Sequence, residues 1–379
     1  MGEHLGPRLL VVGMGWFPDQ PGGLTRYLRN LPVTMAAQDD RLLRAVVLGP
    51  VAEPPAWVRA VGEQDQPLPL RWARIARAAG QEARDAELVD SHFALYAFPC
   101  LFVPAFRRLP LVVHFHGPWA DEFVANGQPP GWRIELKRRL ERYVYRRAEA
   151  IVVLSEAFKQ IVVDGFGIPA ARVHVLGAGV DLDAFSPADG AGARSGLDVA
   201  PSTWVGVTAR RLDPRMGVDV LLRAWAEIDH PDRLLLVVGE GPARTDLELL
   251  VAELGLGGVV RFVGRVDDAT LVTCYRAADV SLVPSLALEG FGLVVLEALA
   301  CGTPVVTTDS GGTAEVVGRL APGLVVPAGD VSALSSRLAD AISGARPLPG
   351  GTECRRFAEA YSWPEVVERH RQLYRQLLA

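Results

Sequence analysis

The sequence predicts an α/β protein built from two parallel-sheet domains. Short apolar runs rich in Val, Ile and Leu alternate with helical stretches along the whole chain, the pattern of strands buried on both faces. The alternation pauses over residues 177–202, GAGVDLDAFSPADGAGARSGLDVAPS, which lack a clear period and read as a linker, and then restarts. The chain has 379 residues, more than one ordinary hydrophobic core takes.

In chain order, an apolar run from Arg8 to Val12 leads through glycines into a periodic segment from Thr25 to Leu31, giving strand, loop and helix. Further strands are expected at AVVLG (45–49), LVVHFHG (111–117) and AIVVLS (150–155). Beyond the linker, WVGVTARR, LLLVVGEG, VRFVG, VSLVPS, TPVVTTD and GLVVPAG repeat the pattern. Ligand-facing loops are expected at the carboxyl ends of these strands. Tyr361 to Leu378 reads as a terminal amphipathic helix, and no period of solenoid type is present.

Composition narrows the function. A net charge of -5 argues against nucleic acid as the main partner. Lys137 and Lys159 are the only lysines, a bias of composition with no mechanistic content. Cys100, Cys274, Cys301 and Cys354 are scattered without a CxxC pair, so neither a zinc site nor a disulfide framework is expected. The N-terminus enters LLVVGMG without a basic region or cleavage site, and no apolar stretch is long enough to span a bilayer. A cytoplasmic protein, resting at most on a membrane surface, is the expectation.

Gly13-Met14-Gly15 lacks the third glycine of a dinucleotide fingerprint, having Pro18 there, and Gly239-Glu240-Gly241 has Arg244 at the same offset. No P-loop pattern exists. Pro21-Gly22-Gly23-Leu24 precedes the first helix and suits either a simple turn or a backbone cradle for an anion. In LVVHFHGP, alternation puts His114 and His116 on one face, and the Gly-Pro after His116 favours it as the ligand-facing residue; His92 in VDSHF stands in a similar place. The segment 131–147 carries seven basic and two acidic side chains. It reads as a solvated helix resting on Ile134, Leu136, Leu140 and Val144, or as a helix touching an anionic membrane. Arg210, Arg211 and Arg215 cluster beyond a strand end, a placement suited to phosphate. In EGFGLVVLEALACGTPVV (289–306), a short helix begins near Gly290-Phe291-Gly292, with Glu289 in the loop and Glu297 inside the helix. An unpaired buried carboxylate is expensive, so both acids are expected to have partners.

Taken together these motifs resemble the retaining family-4 glycosyltransferases of GT-B fold. The match is Glu289-x7-Glu297 followed by SGGTAEVV (310–317), with ARRLDPRMGVDVLLRAW, VVGEGPAR, VRFVGRV, HFHGP, PGGLTRYL and GAGVDLDAF spaced as in that family. The resemblance implies two Rossmann-like α/β domains facing each other across a deep cleft. An acceptor-binding domain would span 1–182, a nucleotide-sugar-binding domain 183–360, and a C-terminal helix, 361–379, would pack back on the first. It further implies that Glu297 holds ribose hydroxyls, that Glu289 meets the donor sugar, and that backbone at Gly290, Phe291, Gly292 and Leu293 meets sugar and diphosphate. Arg211 matches the phosphate-binding arginine, Gly264 and Arg265 lie at the base, Gly22 and Gly23 at the diphosphate, and His116 at the reacting sugar. Met216 departs from the pattern, because many members carry lysine there to pair with the diphosphate; Arg210 or Arg215 is expected to compensate. Ala178 is a milder departure, from asparagine.

The expected reaction is metal-independent transfer of a hexose, with retention, from a UDP-sugar (GDP- or dTDP- as alternatives) to a hydroxyl of a small acceptor, with no cofactor. A natural product of antibiotic type, an amino sugar or an aminocyclitol is the first acceptor expectation, facing Trp16, Phe17, Trp119, Asp121 and Glu122. A lipid or polysaccharide acceptor at a membrane is the second. A non-catalytic nucleotide-sugar binder disabled at Met216 and a GT-B epimerase are the other readings. The protein is expected as a monomer or homodimer.

Overall fold

A computed structural model describes residues 7–19, 22–39 and 43–379. Two compact units emerge, each built on its own sheet. The first takes the described residues up to Asp121, then Pro130–Gly179 and Trp363–Ala379; the second takes Glu122–Pro129 and Val180–Ser362.

The first sheet has seven strands: β1 (Leu9–Gly13), β2 (Leu43–Leu48), β3 (Val58–Val61), β4 (Leu88–Ser91), β5 (Leu111–Phe115), β6 (Ala150–Val153) and β7 (Val173–Val175). They lie in the order β3-β2-β1-β4-β5-β6-β7, every pair parallel. β1, β4, β5 and β6 are buried along their whole length; β1 (LLVVG) and β6 (AIVV) are continuous apolar runs, while β4 (LVDS) and β5 (LVVHF) bring polar side chains into the interior near their carboxyl ends. Leu10, Val12, Val113, Ile151 and Val153 belong to the core beneath the helices. The C-terminal helix Trp363–Leu378 is part of this unit and sets Val366, Val367, Leu373 and Tyr374 into its interior.

The second sheet has six: β8 (Trp204–Ala209), β9 (Arg233–Val238), β10 (Val260–Gly264), β11 (Val280–Val283), β12 (Val305–Thr308) and β13 (Val325–Val326). Their order is β10-β9-β8-β11-β12-β13, again parallel throughout. The segment 177–202 is not all linker. Asp189 caps a helix, Gly190–Gly196, by accepting from the N–H groups of Ala191 and Gly192, and Val180 bridges to Ser362. Glycine and alanine hide that helix from a periodicity reading, while the Asp cap supplies the local reason it forms.

Candidate active site

The second sheet reverses its strand order between β8 and β11, and ligand crevices of open α/β sheets form at the carboxyl ends of strands at such a point. Arg210 directly follows β8, while Ser285 and Glu289 follow β11. Arg210 Nη2 donates to Glu289 Oε2 at 2.8 Å and to Ser285 Oγ at 2.8 Å, and the Ser285 hydroxyl donates to the same carboxylate oxygen at 2.9 Å. Met216 Sδ lies 3.0 Å from the same Nη2. Glu289 Oε2 is thus held twice, and among the described residues none donates to its Oε1. The Arg210 side chain is only 5% exposed. Burial presses its guanidinium below the ordinary range, and the Glu289 carboxylate opposes that. Its Nε and Nη1 are buried without a hydrogen-bond partner among the described residues.

The loop carrying Glu289 is fixed on both sides. The Arg215 carbonyl accepts from Leu286 N–H at 2.9 Å, its Nη1 donates to Leu288 O at 3.2 Å, and its Nη2 stands 3.5 Å from Glu122 Oε1. Arg215 is therefore engaged with the loop and with Glu122, and Arg210 is the arginine at Met216. Leu288 has φ 54°, a left-handed conformation that costs a side chain about 1 kcal/mol or more and sits directly before Glu289. From the far side, Gly312 N–H donates to Glu289 O at 2.8 Å. Gly311, at φ 67°, has no room for a side chain: a Cβ there would come within 2.2 Å of the Glu289 carbonyl oxygen.

Gly292, at φ 72°, begins the helix Leu293–Ala300, whose first N–H groups have no intrahelical acceptors. Phe291 is buried against Tyr361, with ring centroids 6.1 Å apart, and Gly290 and Leu293 are half-buried. Glu297 is inside this helix and 5% exposed. The Arg211 side chain is 70% exposed and its Nε lies 3.0 Å from Asp213 Oδ2. Gly264 ends β10 and accepts from Gly239 N–H at 2.8 Å, and Arg265 beside it is exposed.

In the first unit, the carboxyl ends of β4 and β5 carry a buried polar cluster. Asp90 Oδ1 is 2.8 Å from His114 Nε2, and its Oδ2 accepts from the Tyr374 hydroxyl at 2.5 Å. His92 Nδ1 is 3.4 Å from His116 Nε2. Burial opposes ionisation of Asp90, but the imidazoles of His114 and His92 outweigh it and hold the carboxyl well below its usual range. Burial pushes His92 down to about 4 and His116 well below its ordinary value, so both rings are neutral near pH 7. The ligand nitrogens of His92, His114 and His116 all lie within 4.8 Å of one another, a grouping that the sequence reading did not single out. Their ring planes lie within 12° to 19° of parallel.

The remaining expected residues are spread out. Gly22 and Gly23 form the turn into the helix Gly23–Asp39, the Gly22 carbonyl accepting from Arg26 N–H and Thr25 Oγ1, each at 3.0 Å; Pro21 lies outside the described residues. Trp16 is buried and packs edge-on against Trp57 at 5.9 Å. Phe17 lies under the Arg26 guanidinium, Trp119 lies against Phe93, and Asp121 pairs with Arg138. Burial raises Glu122, and Arg215 works against that. Asp90 and Ser285 escaped sequence reasoning, although an acid inside the apolar run LVDS was a usable signal.

Comparison with known proteins agrees with this architecture. Residues 21–184 match the family described as Glycosyltransferase Family 4, and residues 197–360 match Glycosyl transferases group 1. The chain is 36% identical over 386 residues to a D-inositol 3-phosphate glycosyltransferase of Geodermatophilus obscurus, covering 92% of this chain and 85% of that one. A second relative of that name, from Saccharomonospora viridis, is 33% identical over 319 residues, covering 79% and 72%. Among solved structures, sucrose-phosphate synthase from Thermosynechococcus elongatus superposes with a TM-score of 0.81 at 25% identity, covering 98% of this chain and 99% of that one. Anabaena HepE, solved in complex with UDP, gives 0.78 at 21% identity, covering 97% and 100%. With both units matched and close relatives running through most of the chain, the protein belongs to the family-4 glycosyltransferases of GT-B fold.

Proposed function

We propose that this glycosyltransferase moves a hexosyl group, with retention and without a metal, from a UDP-sugar to a hydroxyl of a small polyhydroxylated acceptor of cyclitol or aminocyclitol type. The observation that carries the reading is Glu289 held through one oxygen by Arg210 and Ser285, directly ahead of the helix that starts at Gly292. That leaves Oε1 to accept from a donor-sugar hydroxyl, while the helix N-terminus faces the diphosphate. Solved complexes of HepE with UDP and with UDP-glucose support the donor, and the relatives that act on D-inositol 3-phosphate support the acceptor class.

In the proposed reaction the bond from the anomeric carbon to the diphosphate oxygen breaks, and the acceptor oxygen attacks from the same face. The acceptor proton passes to the departing phosphate oxygen, and UDP leaves. Helix N–H groups and arginine offset the charge that grows on the leaving group. A covalent route through Glu289 is disfavoured, because a carboxylate held by a guanidinium and a hydroxyl is a weakened nucleophile and a good hydrogen-bond acceptor. Glu297 is assigned to the ribose. His116 is assigned to a hydroxyl of the transferred sugar, a role that asks for the neutral imidazole that burial enforces.

The test incubates the protein with UDP-, GDP- and dTDP-sugars and cyclitol acceptors, and reads products by mass spectrometry and anomeric configuration by NMR. Transfer from a UDP-sugar with retention is expected, unchanged by EDTA. Glu289→Ala and Glu297→Ala should each slow it by about a hundredfold or more. Near wild-type rates in both variants, or an inverted product, would overturn the reading.

A further inference from the structure

We propose that the solvent face of the helix Trp132–Arg147 is a docking surface for an anionic phospholipid bilayer. This inference rests on surface chemistry and not on the transferase reading above.

The helix buries one side normally: Ile134, Glu141, Val144 and Tyr145 point into the unit. At about 100° per residue, positions 132, 136 and 143 fall on the opposite side, within a stripe that also holds 139, 146 and 147. A solvated stripe would be polar. Here it carries Trp132 at 74% exposure, Leu136 at 59% and Tyr143 at 44%. Leu136, expected as one of the buried apolar positions, is therefore on the outside. The patch continues onto the neighbouring segment, where Phe102 is 65% exposed and stacks parallel to Tyr143 at 6.4 Å, with Phe98 edge-on to both. Exposed aromatic side chains of this size, gathered in one place, mark an interaction surface.

Charge chooses the occupant. Of the helix's two acids, Glu141 is buried and accepts from the N–H groups of Trp119 and Ala120, so Glu135 alone faces outward, paired with Arg139 at 3.2 Å. Arg133, Arg146 and Arg147 are exposed and have no ion-pair partner among the described residues. The stripe is positive on a chain whose net charge is -5. Arginine and aromatic rings are also common at protein–protein interfaces, so it is the net positive charge of the stripe, with Glu135 the helix's one outward acid, that calls for a negatively charged surface. Its mixture of arginine with Trp, Tyr and Leu suits the headgroup boundary of an anionic leaflet, with aromatic rings at the interface and guanidinium groups on phosphate.

The test floats the full-length protein with vesicles of phosphatidylcholine alone and of phosphatidylcholine with phosphatidylglycerol. Flotation with the anionic vesicles only, lost at high salt, is expected. A Trp132→Ser/Leu136→Ser/Tyr143→Ser variant and an Arg146→Glu/Arg147→Glu variant should each weaken it by about tenfold or more. Circular dichroism and melting temperature show whether each variant is folded, and the second touches no buried side chain. Absence of flotation on anionic vesicles would overturn the proposal, as would equal flotation of wild type and folded variants. A concentration-dependent dimer in light scattering, abolished by the triple substitution while vesicles stay unbound, would reassign the face to a second copy of the chain. None of these readouts involves donor or acceptor, so failure here leaves the transferase reading untouched and the reverse also holds.

Discussion

At the scale of single residues, Met216 brings no charge of its own, and the arginine that stands beside it is Arg210. Arg210 stands six positions earlier and places its Nη2 beside the Met216 sulfur and on Glu289. A lysine at 216 would set a second cation against that guanidinium, and like charges about 4 Å apart cost on the order of 4 kcal/mol at an effective dielectric of 20. The two positions should therefore be coupled. Arg210→Ala is expected to lower kcat/KM by about a hundredfold, and Met216→Lys in the wild type to lower it as well. Combined, the lysine should recover about tenfold over Arg210→Ala, a non-additivity read from a double-mutant cycle in kcat/KM and, independently of activity, in melting temperature. Additive effects would show that the residues act separately. The sequence pointed to this pair of positions but left open which arginine fills the role. Arg210 and Arg211 adjoin beyond the end of β8, where successive side chains point to opposite sides, and only the structure shows that Arg210 is the one turned inward.

At the scale of elements, the helix Trp119–Ala125 is capped from a distance. Glu141 Oε1 accepts from Trp119 N–H at 3.1 Å and Oε2 from Ala120 N–H at 3.3 Å. Burial raises this carboxyl to about 7 from 4.5, although both backbone N–H groups pull it down. In the window between those values the folded state holds a proton that the unfolded chain has released. This contribution to stability is fully present below the lower value and is lost as pH rises through the upper one, to the extent of about 3 kcal/mol. Melting temperature should fall over that window in the wild type, and much less in Glu141→Gln, whose side chain does not ionise; an identical slope would remove Glu141 as the cause. The pattern of elements was legible to different depths. Strands buried on both faces, such as β1 and β6, announce themselves as apolar runs. The edge strands β3 (VRAV) and β7 (VHV) are short, partly exposed and polar at alternate positions, so they do not stand out. The periodicity of the helix Trp132–Arg147 predicts Ile134 and Val144 inside correctly, but a 3.6-residue period cannot say whether Leu136 turns with them or away.

At the scale of the whole molecule, chain order and unit membership part company at the end. The helix Trp363–Leu378 follows the second unit in sequence and belongs to the first. It contributes more than apolar packing there. Tyr374 donates to Asp90, His370 Nε2 lies 3.3 Å from the Tyr27 hydroxyl, and Trp363 packs on Tyr27 at 5.3 Å. Asp90 adjoins His92 and His114, so the helix closes the same buried network that holds the end of β5 in place. Deleting residues 363–379 would strip out Trp363, Val366, Val367, His370, Leu373 and Tyr374, all buried. At about 1.5–3 kcal/mol for each large apolar side chain, the loss rivals the whole stability of an ordinary domain, about 5–15 kcal/mol, and it leaves Asp90 without its hydroxyl donor. The damage should fall on the unit farther away in sequence. Hydrogen exchange of the truncated chain is expected to show lost protection in β1, β4 and β5, with β8, β9 and β11 still protected. Tyr374→Phe isolates the polar part: it keeps the ring and removes the donor, and should lower the melting temperature of the first unit by several degrees, the effect of about 1–3 kcal/mol in a domain of this size. Protection lost evenly from both sheets would mean instead that the terminal helix supports the fold as a whole.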